Sequence, residues 1–112
     1  MNIVSGIDMV YIEEFGEQLK LSEDNFVKRC FTTKEQNIKE TKTLAGIFAV
    51  KESVIKAYSL APGSWLNIEV DNRNSGKPYV TIKNIDEKVL SQDVSISHSK
   101  DYVIASYTAL IE

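Results

Sequence analysis

Cysteine is nearly absent. Cys30 stands alone among 112 residues, which excludes an intrachain disulfide and suits a reducing compartment. Set between Val27 and Phe31, it reads as a packed core thiol rather than a catalytic one. Long apolar runs are missing too. Nothing approaches the roughly 20 apolar residues of a membrane-spanning helix, and no basic stretch leads into an apolar run after Met1. No membrane partner and no signal peptide are expected, and the cytoplasm is the expected location. A basic excess is also lacking: 13 Lys and Arg against 16 Asp and Glu give a net charge of -3. General nucleic-acid binding is therefore not expected, because no surplus of cations exists to neutralise phosphates. Repeats, low-complexity segments and linkers do not occur, so residues 1–112 read as one domain, too short for two ordinary ones. Such a small domain leaves part of its 43% hydrophobic content for a subunit interface.

What is present has clear periodicity. Ile3 to Asp8 reads as an apolar strand ending in a carboxylate. Ile12, Phe15 and Leu19 then recur at helical spacing, weakened by Gly16, and Phe26, Val27 and Cys30 suggest a short second helix started by Ser22. Thr32 with Glu35, or Thr33 with Gln36, has the capping-box spacing of a third helical turn. The main helix is expected from Thr43 to Ser59, capped by Thr41 or Thr43 and stopped by Pro62-Gly63. Leu44, Phe48, Ile55 and Tyr58 form its stripe, widened by Ile47 and Val54. Leu66, Ile68 and Val70 alternate with polar residues as a strand, and Tyr79 to Ile82 returns after the turn Asn72 to Pro78, making a hairpin. Asp86 to Leu90 reads as a helical turn, and Val94 to Ser99 and Tyr102 to Ile111 as two final strands. This order predicts an α+β fold, an antiparallel sheet packed on one long helix.

The segment Phe48 to Lys56 carries the chemistry, because it sets Glu52, Lys51 and Lys56 into an otherwise apolar helix. Glu52 and Lys56 share a face, as a solvated pair or as one wall of a metal-phosphate site. Lys51 points about 100 degrees away from Glu52 on an ideal helix and is the weaker phosphate candidate. Asp8, after Gly6, is either the N-cap of the following helix or a second carboxylate of that site. His98 alternates onto the side of Val94 and Ile96, away from Ser95, Ser97 and Ser99, as a core histidine or a ligand. Lys77, within Gly76-Lys77-Pro78, is most simply a turn lysine.

The strand-end Asp8, the helix Lys51-Glu52 to Lys56, the turn Ser75-Gly76-Lys77-Pro78 and the strand Ser95-Ile96-Ser97-His98-Ser99 occur in that order over nearly the whole chain. Together they resemble the holo-acyl-carrier-protein synthase family of 4'-phosphopantetheinyl transferases. The resemblance implies transfer of 4'-phosphopantetheine from coenzyme A to a serine of an apo carrier protein, acyl or peptidyl, releasing adenosine 3',5'-bisphosphate. It implies that Asp8 and Glu52 bind magnesium, an ion that prefers oxygen ligands beside diphosphate. Lys56 would steady the phosphates, and Glu52 or a metal-held water would take the serine proton. It further implies that His98 meets the coenzyme A phosphates, that Gly76, Lys77 and Pro78 border its nucleotide end, and that the protein is a homotrimer with shared sites.

Three departures stand out. Ile47 replaces an arginine common in Leu-Ala-Gly-Arg-Phe; Tyr58-Ser59-Leu60-Ala61 replaces a glycine-rich segment; Glu13 and Glu14 stand where the family usually has basic residues that dock acidic carriers. The alternatives are a non-catalytic coenzyme A, nucleotide or carrier-binding module of the same fold, and a structural oligomer with a merely solvated charged helix.

Overall fold

The computed structural model describes every residue except Glu23, and only the backbone of Ser22 and Asp24; the Ser22 cap expected above falls outside what is described. The fold is α+β. The first strand, β1 (Asn2–Tyr11), runs antiparallel to the last, β5 (Tyr102–Ile111), in unbroken register from Asn2 opposite Ile111 to Tyr11 opposite Tyr102. A third strand, β4 (Val89–His98), pairs with the other side of β5, giving the order β1-β5-β4. Alternation along β1 sends Val4, Gly6, Asp8 and Val10 toward the core and leaves Ile3, Ile7 and Met9 exposed on the outer face, where β5 adds Tyr102 and Ile104. A separate hairpin pairs β2 (Ile68–Asn72) with β3 (Pro78–Ile82).

The long helix lies on the inner face of the three-stranded sheet. It follows α1 (Ile12–Ser22) and α2 (Asp24–Cys30) and spans Thr41–Tyr58 as α3. It is buried nearly all round because the sheet covers one side while aromatic residues of α1, α2 and the following loop cover another. Gly6 makes the close approach of β1 possible: a Cβ there would lie 1.9 Å from the Ser53 carbonyl oxygen of α3. That is why a glycine stands at this position. The Ser53 hydroxyl donates to Ala49 O at 2.8 Å within the helix and lies 3.0 Å from Ala105 O of β5.

Several boundaries differ from expectation. The strand expected to end at Asp8 continues to Tyr11, since every residue of it pairs with β5, so Asp8 is not a helix cap. Neither Thr41 nor Thr43 caps α3; the cap position is Glu40, and the Thr43 hydroxyl donates to its carboxylate. The helix ends at Tyr58 because Ser59 adopts the left-handed conformation (φ 52°), before Pro62 is reached. Leu66 falls in a 3-10 turn, Ser64–Asn67, rather than in β2. The helical turn expected over Asp86 to Leu90 is not formed: Asn84 has φ 61°, and Val89 onward pairs with β5 through an irregularity at Leu90. The Thr32 and Glu35 capping box is present, with Thr32 N donating to Glu35 Oε1 at 2.9 Å at the start of a 3-10 turn, Glu35–Asn37.

Two polar devices join the layers. The Gln92 amide on β4 donates to Val80 O at 2.9 Å and accepts from Val80 N at 2.8 Å, so one side chain ties the hairpin to the edge of the sheet. The other is a buried ion pair. Lys51 Nζ lies 2.6 Å from Glu35 Oε1 and donates to Cys30 O at 2.7 Å and Trp65 O at 3.1 Å, which uses all three ammonium protons. Glu35 Oε2 accepts from Val70 N at 2.7 Å. Lys51 is therefore a structural residue, not a phosphate ligand.

Candidate active site

Close packing of β1 on α3 determines what meets beside Gly6. Asp8, two residues on and facing inward, accepts a hydrogen bond from Lys56 Nζ at 3.0 Å, and the same ammonium donates to Ile7 O at 2.9 Å. Lys56 thus crosses to the strand instead of forming the solvated helix pair with Glu52. Glu52, one turn earlier on α3, accepts from the Trp65 indole N–H at 3.3 Å. Asp8 and Glu52 line one cleft of about 410 Å³, walled also by Phe48, Tyr11, Tyr102 and Glu14.

Charge in this cleft is only partly compensated. Burial pushes the Glu52 carboxyl above the ordinary glutamate range; the Trp65 bond opposes this, Asp8 adds to it and Lys56 opposes it. Lys56 remains 57% exposed, with its ammonium open to further partners. No third Asp, Glu, His or Cys joins Asp8 and Glu52 in a metal-holding group among the described residues. Two hard oxygen donors with positions left for water and phosphate oxygens fit magnesium, which rarely takes an all-protein cage.

The other expected site residues lie elsewhere on this chain. His98 faces inward at the end of β4, with Nε2 3.6 Å from where a Cβ on Gly46 would stand. It lines a second cavity, about 290 Å³, with Pro78, Ile47, Ile96, Lys34 and Asp71. Ile47 supplies an apolar wall there, while Lys34 and Asp71 form an ion pair at the rim. Asp8 and His98 stand on the outer strands β1 and β4, with β5 between them, and the two cavities share no lining residue. Gly76 has φ 90° and closes the hairpin turn. Lys77 leaves that turn for Asp93, 2.8 Å away, and is not brought to His98. Hydrogen bonding from Lys77 holds the exposed Asp93 carboxyl below its usual range. Cys30 is fully buried, and burial raises its thiol to about 11, in keeping with a core cysteine.

Sequence reasoning missed Trp65, and it named Glu14 only for a carrier-docking turn, not as a wall of this cleft. A lone indole N–H aimed at a carboxylate leaves no periodic trace; Glu14 was visible only as one of two acidic residues in the first turn of α1.

Residues 5–106 match the 4'-phosphopantetheinyl transferase superfamily. The holo-[acyl-carrier-protein] synthase of Geobacillus sp. (strain WCH70) is 37% identical, the match covering 94% of this chain and 93% of that protein. Among solved structures, the ACPS-CoA complex of Chronobacterium ammoniagenes superposes with a TM-score of 0.84 at 27% identity, covering 100% of this chain and 99% of the other. The holo-(acyl-carrier-protein) synthase from Bacillus anthracis in complex with CoA (3',5'-ADP) gives 0.75 at 31% identity, covering 95% and 94%. The chain therefore belongs to the 4'-phosphopantetheinyl transferase superfamily.

Proposed function

We propose that this protein, as one domain over residues 1–112, transfers 4'-phosphopantetheine from coenzyme A to a serine of an apo carrier protein and releases adenosine 3',5'-bisphosphate. The observation that carries the site assignment is the meeting of Asp8 and Glu52 in one open cleft, with the exposed Lys56 ammonium bonded to Asp8. The serine oxygen forms a bond to the β-phosphorus as the bond between that phosphorus and the oxygen bridging to the nucleotide breaks. Such a transfer depends on charge neutralisation and alignment more than on covalent help from the protein. Asp8 and Glu52 would hold magnesium, which neutralises diphosphate charge when bound. Lys56, with its ammonium exposed beside Asp8, stabilises phosphate oxygens. Glu52 takes the serine proton, a role supported by its place in the same cleft as Asp8.

His98 and the Gly76-Lys77-Pro78 turn belong to the nucleotide end. The cavity that His98 and Pro78 line is separate from the Asp8 cleft in one chain, which favours a homotrimer in which neighbouring copies complete each site. The exposed face of Ile3, Ile7, Met9 and Ile104 supplies apolar surface for that contact. The reaction is assigned to the cytoplasm; no described helix is long and apolar enough to cross a membrane.

Incubation with coenzyme A, magnesium and a panel of apo carriers, read by intact mass, should show one phosphopantetheine gained. Asp8→Ala and Glu52→Ala should each abolish the gain without unfolding the chain. Near-wild-type turnover by either at saturating magnesium would overturn the two-carboxylate site, and coenzyme A binding without any gain would return the non-catalytic module. Light scattering should give three times the monomer mass at micromolar concentration; a monomer would refute the shared site.

A further inference from the structure

Trp65 is the sole tryptophan of the chain, and three different groups hold it. Its carbonyl accepts from the buried Lys51 ammonium at 3.1 Å. Its ring packs on Phe48 with centroids 5.7 Å apart and planes tilted by 38°. Its indole N–H reaches Glu52 Oε2 at 3.3 Å. Lys51 is in turn locked by Glu35, which also binds Thr32 N and Val70 N. A sealed charge cluster, the 3-10 turn and the aromatic stack thus converge on one carboxylate oxygen, while Glu52 Oε1 makes no hydrogen bond to the described residues.

We propose that Trp65 is the positioning residue of Glu52: it ties down Oε2 and presents Oε1 to the cleft, with Lys51 and Phe48 fixing the indole. This rests on the reading of Glu52 as a metal ligand and proton acceptor. A free glutamate samples several rotamers, and each unproductive one lowers the fraction of aligned complexes. Loss of the indole N–H should therefore reduce turnover while leaving coenzyme A binding nearly unchanged.

Two arms test this. In the first, Trp65→Phe keeps an aromatic ring against Phe48 and removes only the donor. Its kcat should fall about tenfold, with KM for coenzyme A within about twofold, as for lost alignment. A kcat within about twofold of wild type, or a loss confined to KM, would overturn the proposal. The second arm uses the wild-type protein and does not depend on turnover. Magnesium titrated in the presence of coenzyme A should change the Trp65 emission to saturation, and Glu52→Gln, which keeps an acceptor oxygen for the indole, should abolish that change. Emission unmoved up to a large excess of magnesium over protein and coenzyme A would overturn the proposal even if Trp65→Phe failed to fold. Absence of mass gain by wild type with every carrier is the separate failure of the transferase reading, and the emission arm still decides the role of Trp65.

Discussion

Lys51 and Lys56 sit five residues apart on one helix, and each meets a carboxylate, yet their surroundings are opposite. The Lys51 side chain is 0% exposed and its three protons are all used within the protein. Lys56 is 57% exposed, and Asp8 beside it lies at the edge of a cleft. A buried charge survives only when it is fully compensated, and full compensation leaves it nothing to offer a ligand. An open charge adds little to stability but remains available to phosphate. One side of α3 is thus a sealed brace and the other a chemical edge. Replacing residues on each side should separate stability from turnover.

The largest effect belongs to the sealed side. Lys51→Met should destabilise the fold by about 3–5 kcal/mol, because it leaves the Glu35 charge buried without its counterion. Urea unfolding should show a lower midpoint with an unchanged slope. Next comes the open side: Lys56→Ala should raise the barrier to transfer by about 2–4 kcal/mol through loss of a positioned cation. Its stability should change by less than about 1 kcal/mol, as for an exposed pair. A Lys56→Ala variant less than threefold slower than wild type would return Lys56 to a solvated role and erase the contrast.

Local pattern made much of this legible. Helical periodicity located α3 within two residues at its start and one at its end, and turn chemistry located the hairpin. Alternation gave the inward side of His98. Asp8 and Glu52 came from motif order, since the 43 residues between them carry no record of their meeting in one cleft. The burial of Lys51 was not legible, because its partner is 16 residues away and Glu35 already had a local purpose in a capping box. The Asp86 to Leu90 turn was misread because pairing with β5 overrides weak local helical spacing.

A smaller effect concerns pH and Glu52. Burial raises the folded carboxyl of Glu52 above its unfolded value. Its protonated form then favours the fold, so this contribution is full below the unfolded pKa and is lost as pH rises through the folded one. In the metal-free protein, Glu52→Gln should raise the melting temperature at neutral pH, on the order of a few degrees, with the gain vanishing near pH 4. A variant melting no higher than wild type at pH 7 would mean that ionised Glu52 is already compensated, like the sealed side.

The smallest effect lies at the rim, where the open side meets a partner. Glu13 and Glu14 occupy the first turn of α1, both exposed, and Glu14 also lines the Asp8 cleft. Neither forms an ion pair among the described residues, and Glu13 is the leading cause that pushes the neighbouring Tyr11 hydroxyl upward. A carrier approaching the cleft would therefore encounter the negative charge of Glu13 and Glu14. Like charges slow encounter and are screened by salt. A strongly acidic carrier should be modified poorly, and one with a neutral or basic docking helix should be preferred. Converting Glu13 and Glu14 to Lys and Arg should raise kcat/KM with an acidic carrier about threefold at low salt, mainly through association, with the gain fading as salt is added. No gain at low salt would move docking to Lys20, Lys28 or Arg29, which are also exposed, and would leave the acidic turn as solvated surface.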